Sequence, residues 1–498
     1  MVTYFEGNVP DGPTMNAYMD TLKFITNTIY TPIGFRIDTQ SSSQAVQIVD
    51  VNGNSYTPPT GFFNSHPLWA GMWAAFYNRS TGTFSTGNTN IGSPKVFTGA
   101  DGDVFVRIPG ANYRYRFVDN RYHEHIVAPL SVQFQGSAPH PFTVMRGGTV
   151  RPFVYHSAYE ASLLIDDTGN YKLQSVSGVQ PVTGAAISKL QFTSGGTNAI
   201  QIDEVITGAT SGAYGTVIGI QKSSGTWAGG DAAGYLFLKQ ITGTFQAENL
   251  NGSVAGTNCA TAAGASSALS FTVTNAETYA ANKGSKFGVI DIYLKAYLDL
   301  LQVIEAGTLD VPSVFGMGIV DLPVGTGFAG KVTGSDNIDS LLDSQGTGHG
   351  DGIDGQVAIS WRNIRNRYGN TYKHLLGFNV FTDKAFRVTK RDGTGTLAEI
   401  MADGSYEVGE GIVPTTDGYT KTVWPGEIGG PLFVTKTNNG SSTETFGDGW
   451  FGPSSANNSI FYGGAWRSVY QAGPFMMSAS SAAGAYSASL GTHFVYYP

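Results

Sequence analysis

His123 and His125 stand two residues apart in the stretch YHEHIV, so on a strand both side chains share one face. Two histidines on one face could ligate a metal. No third ligand follows at a recognisable spacing, and a polar strand face is the simpler reading. The Gly/Asp cluster 343–355 carries Asp343, Asp351 and Asp354, which could hold a calcium ion together with backbone carbonyls. The spacing is not that of an EF-hand, and no glutamate closes it, so a surface loop is again simpler. Cys259 is the single cysteine. That count excludes an intramolecular disulfide, a cysteine zinc cluster and a two-cysteine redox motif. No G-x-S-x-G elbow lies between a strand and a helix, and phosphate-loop and dinucleotide motifs are missing. Two carboxylates distant in the chain could still pair as in a glycosidase. The expectation is a protein that is not an enzyme and has no resident cofactor.

Binding chemistry is better represented. Residues 452–498 contain one formal charge, Arg467, and nine aromatics, among them Trp466, Tyr470, Phe475 and Tyr486. Small residues lie between them. Rigid aromatic contact area beside adaptable Ser and Gly is the composition of binding loops. Any single aromatic of this set is still more often core than contact.

The elements that would position these residues are mostly short strands. AVQIVDV, VFVRI and YRYRFV alternate or run apolar between turn signals. Residues 192–274 hold six charges in a Gly/Thr/Ser/Ala-rich background. AIQIDEVITG, GTVIGIQ and GYLFLKQITG supply three strand signals there, which suggests a small inserted β module. Ile290, Tyr293, Leu294, Tyr297, Leu301 and Ile304 form one apolar stripe, which predicts a helix over 285–306 capped by Ser285 and stopped by Gly307. A shorter helix is expected near 275–283. Met15, Met19, Leu22, Ile25 and Ile29 predict another over 13–29. Helices amid many short strands read as α+β.

Composition bounds the partners. Charged residues are 13% of 498, and glycine is 66, about twice its usual share. Twenty-nine Phe, 25 Tyr and 7 Trp argue against a disordered chain. A net charge of −8 argues against nucleic acid or a basic membrane patch. No run of about 18 apolar residues is present to span a bilayer. The first residues show no basic and apolar pattern of a secretory signal.

The C-terminal stretch FYGGAWRSVYQAGPFMMSASSAAGAYSASLGTHFVYYP resembles the closing segment of C-type lectin-like domains of the formylglycine-generating-enzyme subtype. Gly463, Gly464 and Trp466 match its turn, Ala472, Gly473 and Phe475 its strand, and Leu490 and Gly491 its end. Thr492 and His493 stand where the family carries Arg. Upstream, WAGMWAAFYNRSTGTF, APHPFTVMRGG, YLKAYLDLLQVIEAG and ISWRNIRNRYGNTYKHLLGFNV follow in the order of lectin-like fibre proteins of tailed phages and prophages. The resemblance implies an α+β lectin-like domain with short strands and two helices, interrupted by a small all-β insert. Its divisions are an attachment or oligomerisation segment 1–66, lectin-like parts 67–190 and 275–498, and an insert 191–274.

What it implies about function is a virion protein, a tail or capsid fibre, that contacts a host-surface glycan or protein. Such a protein would meet other virion proteins and form a homo-oligomer, a trimer above all. The alternatives are a structural or decoration protein of the particle and a fibre-borne glycan hydrolase. In the family the matching loop positions face outward and are diversified. They are Arg467, Ser468, Tyr470, Gln471, Met476, Met477, Ser478, Ser480, Tyr486 and Ser487. Tyr470 and Tyr486 are the expected anchors, with Gly463, Gly464 and Trp466 as scaffold.

Overall fold

A computed structural model describes residues 31–85, 97–165, 170–184, 187–323, 331–454 and 457–498. The helix expected over 13–29 lies outside the described residues. Strands hold 38% of the chain and helix 10%, arranged as several antiparallel sheets and a curled half-barrel. This corrects the expected α+β lectin-like domain. Runs rich in β-branched and aromatic residues, closed by Gly and Asn turns, pair with one another across long separations in the chain. Strand pairing, rather than helix packing, therefore buries most of the aromatic side chains.

Three sheets share one large core. The first has five strands in the order Gln47–Asp50, Ile33–Asp38, Tyr122–Pro129, Ala111–Val118 and Ala138–Pro139. Ile33, Phe35 and Ile37 point into the core from its second strand. The second sheet, of six strands, places Phe494–Tyr496 between Phe287–Val289 and Phe153–Ser157. The third, of eight, runs through Tyr372–Val380, Asn458–Tyr462 and Met477–Ala482. Phe105, Trp361, Phe378, Trp450, Phe475 and Phe494 belong to the same buried cluster.

A seven-stranded sheet spans residues 187–268. Its strand Ala232–Thr242 pairs with Tyr214–Ser224 on one side and with Ile187–Gly195 on the other. The latter also pairs with Gly256–Ala263, so the hydrogen bonding runs round a ring. A separate cluster that includes Leu190, Phe192, Ile206, Leu236, Leu250 and Cys259 fills it.

Two helices longer than a single turn are described. α1 (Val273–Ala281) begins at Thr272, whose side chain accepts from Asn275 N. α2 (Ile292–Ala306) starts seven residues later in the chain than Ser285, because Phe287–Val289 is taken up as a strand against Phe494–Tyr496. Asp291 is the N-cap instead, accepting from the amides of Tyr293 and Leu294. Gly307 ends the helix at φ 70°, and its N–H bonds Val303 O. The helix is buried on every side from Ile292 to Ile304, so it runs through the core rather than over it. Lys295 and Asp299 are buried with it and pair at 2.6 Å, and the Arg367 guanidinium closes on the same carboxylate.

Candidate functional site

A cleft of about 450 Å³ opens where α2 leaves the core. The chain turns out of the helix at Gly307, and Leu309 N and Thr308 Oγ1 bind Gln44 O at 2.7 and 3.0 Å. This tie fixes Asp310 on the cleft wall. Asp310 Oδ1 then accepts from Ser313 N at 3.3 Å and so starts the single helical turn Pro312–Phe315. Asp354 comes from the 343–355 loop. Its Oδ1 accepts from Met317 N at 2.8 Å and Gly355 N at 3.0 Å, which joins that loop to the wall.

Asp448 is deeper, at 4% exposure. Its Oδ2 accepts from Phe475 N at 2.7 Å. A Cβ at Gly473 would stand 2.2 Å from Oδ1, so the carboxyl fits only because residue 473 has no side chain. Burial pushes the Asp448 carboxyl well above the usual carboxylate range. Asp299 and Asp310 add to this, against the Phe475 amide and the Lys295 ammonium.

Tyr470 closes the cleft from a 3-10 turn, Val469–Gln471, and is 65% exposed, the most exposed aromatic among the described residues. Val469 before it holds φ 47°, an outlying conformation for a β-branched residue, and its N–H bonds Val320 O at 2.9 Å. Strain of this kind persists where surrounding contacts over-determine it.

Of the ten residues expected to form the contact surface, Tyr470 alone lines this cleft. Arg467 and Ser480 are exposed elsewhere on the segment, and Gln471 is half-buried beside Gly449. Ser468 is buried; its Oγ accepts from Ala465 N and donates to Tyr372 Oη. Met476 and Met477 are fully buried, and Ser478, which follows Met477 in the strand Met477–Ala482, is buried as well. Tyr486, half exposed, and Ser487 back onto Gly184, away from the cleft. Gly463 and Gly464 take φ 87° and 79°, and Trp466 is buried with Ile319, Ile338 and Ala465. Asp310 and Asp448 carried no signal in the sequence, because isolated aspartates in Gly-rich loops are common turn residues.

The remaining candidates are occupied otherwise. Asp343 Oδ1 accepts from the amides of Gln345 and Thr347, an Asx turn. Among the described residues no three His, Cys, Asp or Glu side chains converge as a metal site. His123 and His125 do share a face of the strand Tyr122–Pro129, but each is buried against a tyrosine: Nδ1 lies 2.9 Å from the hydroxyls of Tyr115 and Tyr113 respectively. Burial holds His123 down at about 4, so it stays neutral. Those tyrosines, with Tyr293 of α2, wall a second cleft of about 400 Å³ rimmed by Arg391 and Glu427.

Comparison with protein-family models gives no match, and comparison with curated proteins gives none.

Proposed function

We propose that the protein is a virion surface protein that binds a glycan or protein of the host surface, and that it does so at the cleft walled by Tyr470. The observation that carries this is the presentation of Tyr470: a largely exposed ring, on a turn held in a strained conformation, at the mouth of a cleft lined by three aspartates. Exposed aromatic area at low conformational cost is what binding hot spots use. The Gly/Ser/Tyr-rich, charge-poor composition and the ordered fibre-like segments support a place on a particle. The lectin-like fold plays no part in this reading.

Adsorption of virions carrying Tyr470→Ala tests it. The expected result is weakened adsorption with the protein still incorporated and folded. A purely structural role in the particle is the second reading, and the burial of Met476, Met477 and Ser478 favours it for that strand. Unchanged adsorption of Tyr470→Ala virions would select it.

A further inference from the structure

We propose that Lys295 and Asp299 condense to an intramolecular amide, a covalent staple across one turn of α2. The two residues are four apart on the helix, where side chains meet on one face. Nζ and Oδ2 are 2.6 Å apart. Nζ therefore lies no more than about 3.9 Å from Cγ, which is one carbon–oxygen bond beyond Oδ2. Despite this approach, among the described residues neither Nζ nor Oδ2 makes a hydrogen bond of ordinary geometry. The amine touches the carboxyl off the hydrogen-bond axis and is tied to nothing else. The buried ion pair is the precursor of the bond.

The surroundings favour the neutral forms that condense. Both side chains are wholly buried. The Tyr462 ring centroid lies 5.8 Å from Nζ, and Trp361 lies 5.7 Å from the Arg367 guanidinium. Keeping two ions out of water is costly, and their attraction seldom repays it in full. Burial pushes the Lys295 ammonium down and the Asp299 carboxyl up, against the pull of each on the other, and Arg367 adds to the first effect. A desolvated lysine beside a second cation is an activated nucleophile. The ammonium passes one proton to Oδ2, and the free amine then attacks Cγ. The guanidinium of Arg367, seated on Oδ1, holds the negative charge that develops there. Oδ2 takes a second proton from Nζ and leaves as water. One C–N bond forms, one C–O bond breaks, and nothing is oxidised or reduced. The cluster carries one net positive charge before and after.

Mass spectrometry of the denatured full chain tests this, because an ion pair dissociates on unfolding and an amide does not. Most of the protein should weigh less than its sequence by one water, about 18 Da. Trypsin should leave residues 287–331 uncut at Lys295, and fragmentation of that peptide should find Lys295 joined to Asp299. Lys295→Arg keeps the charge but cannot form the staple, and it should restore the full sequence mass. A parent chain of full sequence mass that is cleaved after Lys295 overturns the proposal. So does a water loss that maps elsewhere, such as to an Asp-Gly step, or one that persists in Lys295→Arg. Mapping of the parent chain decides the matter even if that variant does not fold.

Discussion

The hydroxyl of Tyr497 donates to Asp291 Oδ2, the carboxylate whose Oδ1 caps α2. A residue near the C-terminus thus holds the start of the buried helix from 206 positions away in the chain. Neither group is exposed to solvent to any extent that water could replace the bond. Tyr497→Phe should cost roughly 1.5–3 kcal/mol, the value of a hydrogen bond to a charged group. Asp291→Ala should cost at least as much, since it also removes the cap. Chemical denaturation measures both. A Tyr497→Phe protein as stable as the parent would show that the bond contributes nothing.

Lys295, Asp299 and Arg367 form an ion cluster with 3% exposure or less at each side chain. Removing its single anion strands two buried cations. Asp299→Ala should destabilise the protein by about 3–5 kcal/mol, whereas replacing all three with apolar residues of similar volume should cost much less. A triple variant weaker than the single one would count against this account.

The charge of Glu248 is a stability term in the seven-stranded sheet. Burial opposes its ionisation, but hydrogen bonds from Ser211 Oγ and the amides of Ser211, Thr210 and Gln246 outweigh it and hold the carboxyl down at about 2. A carboxylate with a lowered folded value stabilises fully above its ordinary value of 4.5, and that stability is lost as pH falls toward about 2. Hydrogen exchange across 205–252 should therefore speed up through this window. Glu248→Gln should flatten the dependence and cost about 1–3 kcal/mol at neutral pH. A pH profile that is the same in both proteins would refute the assignment.

Cys259 is 2% exposed, and burial together with Glu204 pushes its thiol up to about 11. The thiolate is the reactive form. Iodoacetamide at pH 8 should label the native protein very slowly and the unfolded protein at once. Fast native labelling would mean that this sheet opens readily.

Neighbouring residues of the C-terminal stretch should respond in opposite ways. Tyr470→Ala should leave thermal stability unchanged while weakening host adsorption by roughly 1–3 kcal/mol. Trp466→Ala and Met477→Ala should destabilise the fold by about 2–5 kcal/mol. A large stability loss in Tyr470→Ala would make that ring structural.

The apolar stripe from Ile290 to Ile304 was legible because a helical period repeats in the local sequence, and Gly307 was legible as its stop. The helix start was not. Ser285 is an acceptable cap, but Phe287–Val289 gains more as a strand against Phe494–Tyr496, a partner that local sequence does not reveal. The resemblance suggested one outward surface over residues Arg467 to Ser487. The strand Met477–Ala482 instead lies between Asn458–Tyr462 and Gly449–Phe451, which buries Met477 and Ser478. Asp448 was illegible for the same reason: its burial comes from Phe475 and Gly473, which approach it only in the folded chain.

By itself the sequence determined a charge-poor, aromatic-rich chain of short strands with a helix within 285–306, a strand-rich stretch over 192–274, and a C-terminal segment able to make contacts. These are properties of composition and local period, which act within a few residues. Tertiary structure decided that the chain is mostly β, that Tyr470 faces solvent while Met476, Met477 and Ser478 are buried, and that Asp310, Asp354 and Asp448 line one cleft. Each of those outcomes depends on pairings between strands and loops far apart in the chain, whose closure is favoured by burial of the shared core and leaves no periodic trace in the residues themselves.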